Sequence, residues 1–229
     1  MSADILALTT TLKMAFISTI ILLCIGIPLA WWLANLKHKS KVVLEAFIAL
    51  PLVLPPTVLG FYLLVAFAPD KLPGQLWQQA TGQQLAFSFS AIVIGSIFYS
   101  LPFMVQPIQR AFEQLGDEYT QTAASLGAGP FKRFYSIVLP LTKHSIVSAA
   151  CLAFAHTLGE FGVVLMIGGN IPGETRVLSI ALFDHVEAFD YQQAHYLAGA
   201  LIVGSVLFLS LIYWLSRKQS SLLPETRDA

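Results

Sequence analysis

The sequence predicts an all-α membrane protein of about five transmembrane helices, with the N-terminus outside and the C-terminus cytoplasmic. Three observations carry this reading. Of 229 residues, 56% are hydrophobic and only 11% are charged, whereas soluble domains carry about 25% charged residues. Five stretches are apolar enough, at about 20 residues each, to cross a hydrocarbon core. Ten of the thirteen lysines and arginines fall on one side of those stretches, which marks that side as cytoplasmic.

Span one covers residues 14–36 and carries no charge, with Lys13 at its start. No basic stretch precedes it and its apolar run is long, so it reads as a span rather than a cleaved signal. Lys37, Lys39 and Lys41 follow on the inner side. Span two covers 46–69 and contains Pro51, Pro55 and Pro56. Span three runs from 85 to 109, contains Pro102 and Pro107, and is followed by Arg110. Prolines in spans survive where neighbouring helices or a water-filled cavity satisfy the freed backbone groups. These residues therefore mark either packing kinks or the wall of a pathway. Span four, 144–167, is interrupted only by Glu160, and span five, 191–216, is uncharged. The segment 177–189 is interrupted by Asp184 and Glu187 and reads as a surface or partly inserted helix. A sixth crossing there would put the basic tail, 217–229, outside. No internal repeat is evident.

Net charge is zero, which leaves no electrostatic footprint for nucleic acid. Cys24 and Cys151 both sit in apolar runs and read as small buried side chains. None of the five histidines has zinc-ligand spacing to a cysteine or carboxylate, and neither a metal nor a cofactor is expected. No phosphate-binding loop of the G-x-x-x-x-G-K-[ST] type occurs, so ATP chemistry is not expected of this chain.

The loop 110–143 is patterned. Asp117 is placed to cap a short helix over 118–126, and Gly127 falls where a left-handed C-terminal cap belongs. Gly129 gives a turn and Pro130 suits the first position of a second helix, expected to stop before Pro140. Ala123, Ala124, Gly127, Ala128 and Gly129 keep one side small, while Phe131, Phe134 and Tyr135 supply apolar anchors.

This loop resembles the "EAA" loop of binding-protein-dependent ABC importers. In that family Glu-Ala-Ala is followed by Gly after three residues and by Ile-x-Leu-Pro after nine more. Here Gly127 and the run Ile137, Val138, Leu139, Pro140 keep the spacing, while the triplet reads Gln121, Thr122, Ala123 and lacks the acid. The resemblance implies coupling helices that dock on a cytoplasmic ATP-binding subunit. Two further stretches, 50–60 (LPLVLPPTVLG) and 158–162 (LGEFG) followed by 170–176 (NIPGETR), resemble molybdate permeases and, less closely, sulfate/thiosulfate permeases. The resemblance extends over nearly the whole chain, with a transmembrane domain at 9–216. It implies a bacterial inner-membrane permease that pairs with a second permease copy and receives an oxyanion from an extracytoplasmic binding protein. Tungstate and sulfate are alternative cargoes, and a stand-alone secondary transporter or channel is the alternative of a different class. Spans two to five contain no lysine or arginine, which argues against an anion channel, since that would use basic constrictions.

Pro55, Pro56, Glu160, Phe161, Asn170 and Arg176 are the candidate pathway or gate residues. An ionisable group at membrane depth is a functional candidate by default. His156 lies one turn before Glu160, so the two form either a gate or a structural pair. Arg176 either meets the anion and its binding protein, or pairs with Glu174 or another outer-loop acid.

Overall fold

The computed structural model describes residues 3–116 and 118–220, with side-chain environments through residue 210. Asp117 and the tail from 221 onward lie outside the described residues. Among those described, the chain is helical throughout: α1 (Ala3–Asn35), α2 (Ser40–Val53), α3 (Pro56–Phe67), α4 (Leu72–Thr81), α5 (Phe89–Leu115), α6 (Glu118–Ser125), α7 (Pro130–Arg133), a π-helical turn (Phe134–Val138), α8 (Leu139–Leu158), α9 (Gly162–Gly168), α10 (Leu178–Glu187) and α11 (Tyr191–Ser220).

Four of these units are long and apolar enough to cross a membrane: α1, α5, the continuous Pro130–Leu158 helix, and α11. The α2–α3 pair supplies a fifth crossing if taken as one broken span, for the two halves meet at 109°. The sequence reads 46–69 as a single span, and the structure corrects this. Leu54 and Pro55 both take extended backbone, with ψ of 136° and 135°. Each precedes a proline, and a residue in that position is pushed out of the helical region by the following ring. Two such residues in a row end one helix and start another, with Pro56 as the first residue of α3.

α1 and α5 form the central pair, with α8 against both. One buried cluster joins Met14, Ile92, Val163, Val164, Ile167 and Ile180. The other, nearer the α6–α7 loop, joins Leu22, Leu33, Met104, Ile108, Phe112 and Val138. Large apolar side chains also face outward, among them Phe16, Phe47, Phe61 and Ile202, as a lipid solvent allows. Of the buried hydroxyls of α1, Thr11 Oγ1 donates to the Ala7 carbonyl of its own helix at 2.8 Å, while Ser18 Oγ donates across to the Val93 carbonyl of α5 at 3.4 Å. Helix α10, at ten residues, is too short to span.

Three further boundaries differ from expectation. α1 begins at Ala3 and so includes Lys13. α5 continues to Leu115 and includes Arg110, which the sequence reading places beyond span three. The helix begun at Pro130 does not stop before Pro140; it runs on through the π turn into α8. Proline cannot donate to the carbonyl four residues back and its ring crowds that carbonyl. The wider π turn, in which the Leu139 N–H reaches the Phe134 carbonyl, absorbs the misfit without breaking the rod.

Candidate functional site

The loop between α5 and α8 is built on backbone geometry. α6 ends in two reciprocal bonds, Ala128 N–H to the Ala123 carbonyl and Gly127 N–H to the Ala124 carbonyl, each 2.9 Å. These form a Schellman cap, and Gly127 sits at its left-handed position with φ of +82°, a conformation that glycine adopts without steric cost. Gly129 is extended and Pro130 opens α7. Arg133 donates to the Thr120 carbonyl at 3.3 Å and ties the two short helices together. Gln121, Thr122, Ala124, Gly127 and Gly129 are exposed, Ala128 is half-buried and Ala123 is buried. Apolar side chains stand beside this small-residue surface: Leu126 is 84% exposed, Phe131 79% and Tyr135 64%. A patch of this kind is a candidate interaction surface. Of the closing motif, Ile137 and Leu139 are half-buried and Pro140 is exposed. Phe134 packs its ring against Trp31 at 5.3 Å and Phe112 at 6.2 Å, which anchors the π turn to α1 and α5.

At the far end of the Pro130–Leu158 rod lies a concavity of about 600 Å³, lined by Pro56, Thr57, Tyr99, His156, Gly159, Glu160, Phe161, Gly162, Leu165 and Met166. The α2–α3 bend and the α8–α9 break meet here. Gly162 makes this possible, because a Cβ on it would come within 2.8 Å of the Pro56 ring. Three of the candidate gate residues, Pro56, Glu160 and Phe161, are thus brought together, with Pro55 at the bend beside them.

Glu160 is 3% exposed. Among the described residues its nearest polar neighbour is the buried Ser96 hydroxyl, and the two face each other outside good hydrogen-bond geometry. The expected His156–Glu160 pair does not form. The helix ends at Leu158 and turns at Gly159, so the one-turn spacing no longer places the two on one face. His156 instead bonds Ser100 Oγ through Nδ1 at 2.9 Å and stacks on Phe103 at 4.0 Å. The main chain of Glu160 is held by Ser179 Oγ, which donates to its carbonyl at 2.6 Å.

Asn170 and Arg176 do not line this concavity. Both converge on Asp184 of α10. The Arg176 guanidinium lies 2.9 Å from Asp184 Oδ2, and Asn170 Nδ2 donates to both carboxylate oxygens at 3.1 and 2.9 Å. Thr175 Oγ1, donating to the Gly168 carbonyl at 2.6 Å, ties down the intervening turn. Arg176 therefore pairs with an acid, as one of its two sequence readings has it, although the acid is Asp184 and not Glu174.

Sequence reasoning missed a second polar group at the loop end of α5. Two concavities, of about 420 and 350 Å³, share Gln106 and Arg110 as lining. In the larger, Lys41 Nζ lies 2.6 Å from Glu113 and 3.8 Å from Glu45, and Gln109 Nε2 donates to both acids. The signal in the sequence was Gln106, Gln109, Arg110 and Glu113 at helical spacing, hidden because span three was read as ending at Gln109.

Comparison with known proteins matches residues 26–221 to the family of binding-protein-dependent transport system inner membrane components. The chain is 51% identical over 210 residues to the molybdenum transport system permease protein ModB of Azotobacter vinelandii, covering 92% of this chain and 93% of that protein. It is 33% identical over 203 residues to the sulfate transport system permease protein CysT of Escherichia coli, covering 89% and 73%. Among solved structures, a bacterial alginate ABC transporter superposes with a TM-score of 0.75 at 15% identity, over 93% of this chain and 78% of that one. The methionine transporter MetNI in an inward-facing state gives 0.72 at 15% identity, over 93% and 94%. The bent helix pair, the capped loop and the apolar spans are those of a multi-pass transport permease, and the chain belongs to the family of binding-protein-dependent transport system inner membrane components.

Proposed function

We propose that this chain is the permease of a bacterial inner-membrane importer for molybdate, driven by ATP hydrolysis on a separate cytoplasmic subunit. The observation that carries the transport mechanism is the single helix Pro130–Leu158. It runs from the exposed α6–α7 loop to the concavity at Glu160 and Phe161. At 1.5 Å per residue it is about 43 Å long. A rigid rod of that length moves both of its ends together, so an event at the loop reaches the concavity.

In this reading the N-terminus is outside and the loop end is cytoplasmic, as the lysine and arginine bias supports. Gln121, Thr122, Ala123, Ala124, Gly127, Ala128 and Gly129 form the docking surface, with Ile137, Leu139 and Pro140 joining it to the rod. Pro55, Pro56, Glu160 and Phe161 form the gate. Asn170 and Arg176 hold the outer loop in shape and do not touch cargo. A second permease copy completes the pathway, and an extracytoplasmic oxyanion-binding protein delivers the cargo and sets its selectivity. Molybdate rests on the 51% identity to a molybdenum permease. The 33% identity to a sulfate permease keeps sulfate as the second reading.

The test is uptake by the reconstituted complex, with binding protein loaded in turn with molybdate, tungstate and sulfate. Stimulated ATP hydrolysis and uptake with molybdate are expected. Stimulation by sulfate alone would move the cargo to the second reading, and hydrolysis that ignores the permease would end the importer reading.

A further inference from the structure

Tyr99, Phe103, Gln106, Arg110 and Glu113 recur at steps of four, three, four and three along α5. At 100° per residue they fall within an arc of about 80° and form one stripe. Tyr99 lines the Glu160 concavity, and Phe103, Gln106 and Arg110 line the next one. Gln106, Arg110 and Glu113 line the one beyond it. His156, stacked on Phe103, joins the first concavity to the second. The stripe is therefore a continuous wall, aromatic at the Glu160 end and polar at the loop end, with about 16 Å from Tyr99 to Arg110.

The charges at the polar end are unevenly engaged. Glu113 and Glu45 are both taken by Lys41 and Gln109. Arg110 is exposed and, among the described residues, has neither an ion pair nor a hydrogen bond. Its planar fork of N–H donors matches two oxygens of a tetrahedral oxyanion, and Gln106, one turn away on the same wall, offers an amide donor. Lys41 and Gln109 hold the acids at the loop end by direct contact, while Arg110 feels Glu113 only at longer range and lines both concavities with its donors unfilled.

From this juxtaposition we infer that Arg110 and Gln106 form a receiving site for a tetrahedral oxyanion at the inner end of the α5 wall, the last station before release. The inference deepens the proposed function and rests on it. An anion leaving the aromatic stretch meets the first positive charge of the wall there. The site is open to solvent and built on one guanidinium and one amide, so it holds the anion weakly and lets it go. In a two-fold pair of copies the two walls supply two such groups.

The test uses the full complex with its ATP-binding subunit and binding protein, in vesicles, taking up radiolabelled molybdate. Arg110→Gln is expected to lower uptake by about tenfold, the size of one lost charge-assisted hydrogen bond, and Arg110→Lys to recover part of it. Gln106→Leu is expected to give a smaller loss. Co-purification of the ATP-binding subunit establishes that each variant is assembled. If the wild-type complex takes up no molybdate, the proposed function fails. If it does and Arg110→Gln matches it, the receiving site fails and the proposed function stands. A second arm separates cargo from lipid phosphate, by measuring equilibrium binding of labelled molybdate to the detergent-solubilised complex and the lipid phosphorus that accompanies it. Weakened molybdate binding in Arg110→Gln supports the site. Unchanged molybdate binding with loss of phospholipid assigns Arg110 to a headgroup and overturns it.

Discussion

Gly127 is where a single side chain decides the most. Its φ of +82° costs other residues about 1 kcal/mol or more, aspartate and asparagine less than most, and its hydrogen atom leaves the small-residue surface open. Gly127→Asp adds bulk and charge to that surface and is expected to abolish co-purification with the ATP-binding subunit. Gly127→Asn keeps the left-handed turn and is expected to retain more of it; equal loss in both would mean bulk alone matters. Asp184 is a structural counterpart. Asp184→Ala leaves Arg176 and Asn170 without their shared acceptor and is expected to cost about 2 kcal/mol, read as a lowered melting temperature in detergent. Glu160 behaves differently. Its carboxylate has only the Ser96 hydroxyl beside it, outside good hydrogen-bond geometry, and a buried acid so weakly satisfied in a native fold invites a functional explanation. Glu160→Gln preserves shape, so uptake is expected to change while the melting temperature holds. A destabilised protein with normal uptake per assembled complex would make Glu160 structural. The separation of His156 from Glu160 was not legible, because helical spacing assumes a helix, and Gly159 ends it.

Among the elements, the π turn Phe134–Val138 carries the strongest expectation. Such turns hold one residue more than a regular helix would and recur at functional sites. Here the turn lets Pro140 lie inside a rod that proline would otherwise break. Deleting Ser136 restores regular winding, turns α7 relative to α8 and pulls Phe134 away from Trp31. The complex is expected to form, with binding-protein-stimulated ATP hydrolysis largely lost. Stimulation at the wild-type level would show that the turn has no part in transmission. Sequence pattern gave the two ends of this element, Pro130 and the 137–140 motif, but read Pro140 as a stop. Local propensity says what proline disfavours; whether the chain stops or widens is settled by the packing of Phe134 and Val138 against α1 and α5.

On the scale of the whole molecule, hydropathy revealed spans one, three, four and five because lipid demands apolar length and little else. It did not reveal the direction change at 109° in span two, since apolar content is blind to angle. The consecutive residues Pro55 and Pro56 were the local sign of it. The two-helix form of the loop between α5 and α8 was legible because its glycines and prolines have fixed backbone meanings. The polar end of the α5 wall was not, because the expected helix end was set at the first charge, and α5 carries that charge as lining.

The bent pair also bears on how the protein is made. α2 has 14 residues and α3 has 12, about 21 and 18 Å of helix, each shorter than a hydrocarbon core of about 30 Å. Neither half is a competent insertion signal, and α3 finds its main packing partner in α9, synthesised some hundred residues later, with lesser contacts to α4 and α5. A nascent chain halted before α5 should therefore leave α2 and α3 outside the bilayer, reachable by protease, and the same residues should become protected once α9 has emerged. Order of synthesis, and not hydrophobicity alone, then determines when the α3–α9 contact exists.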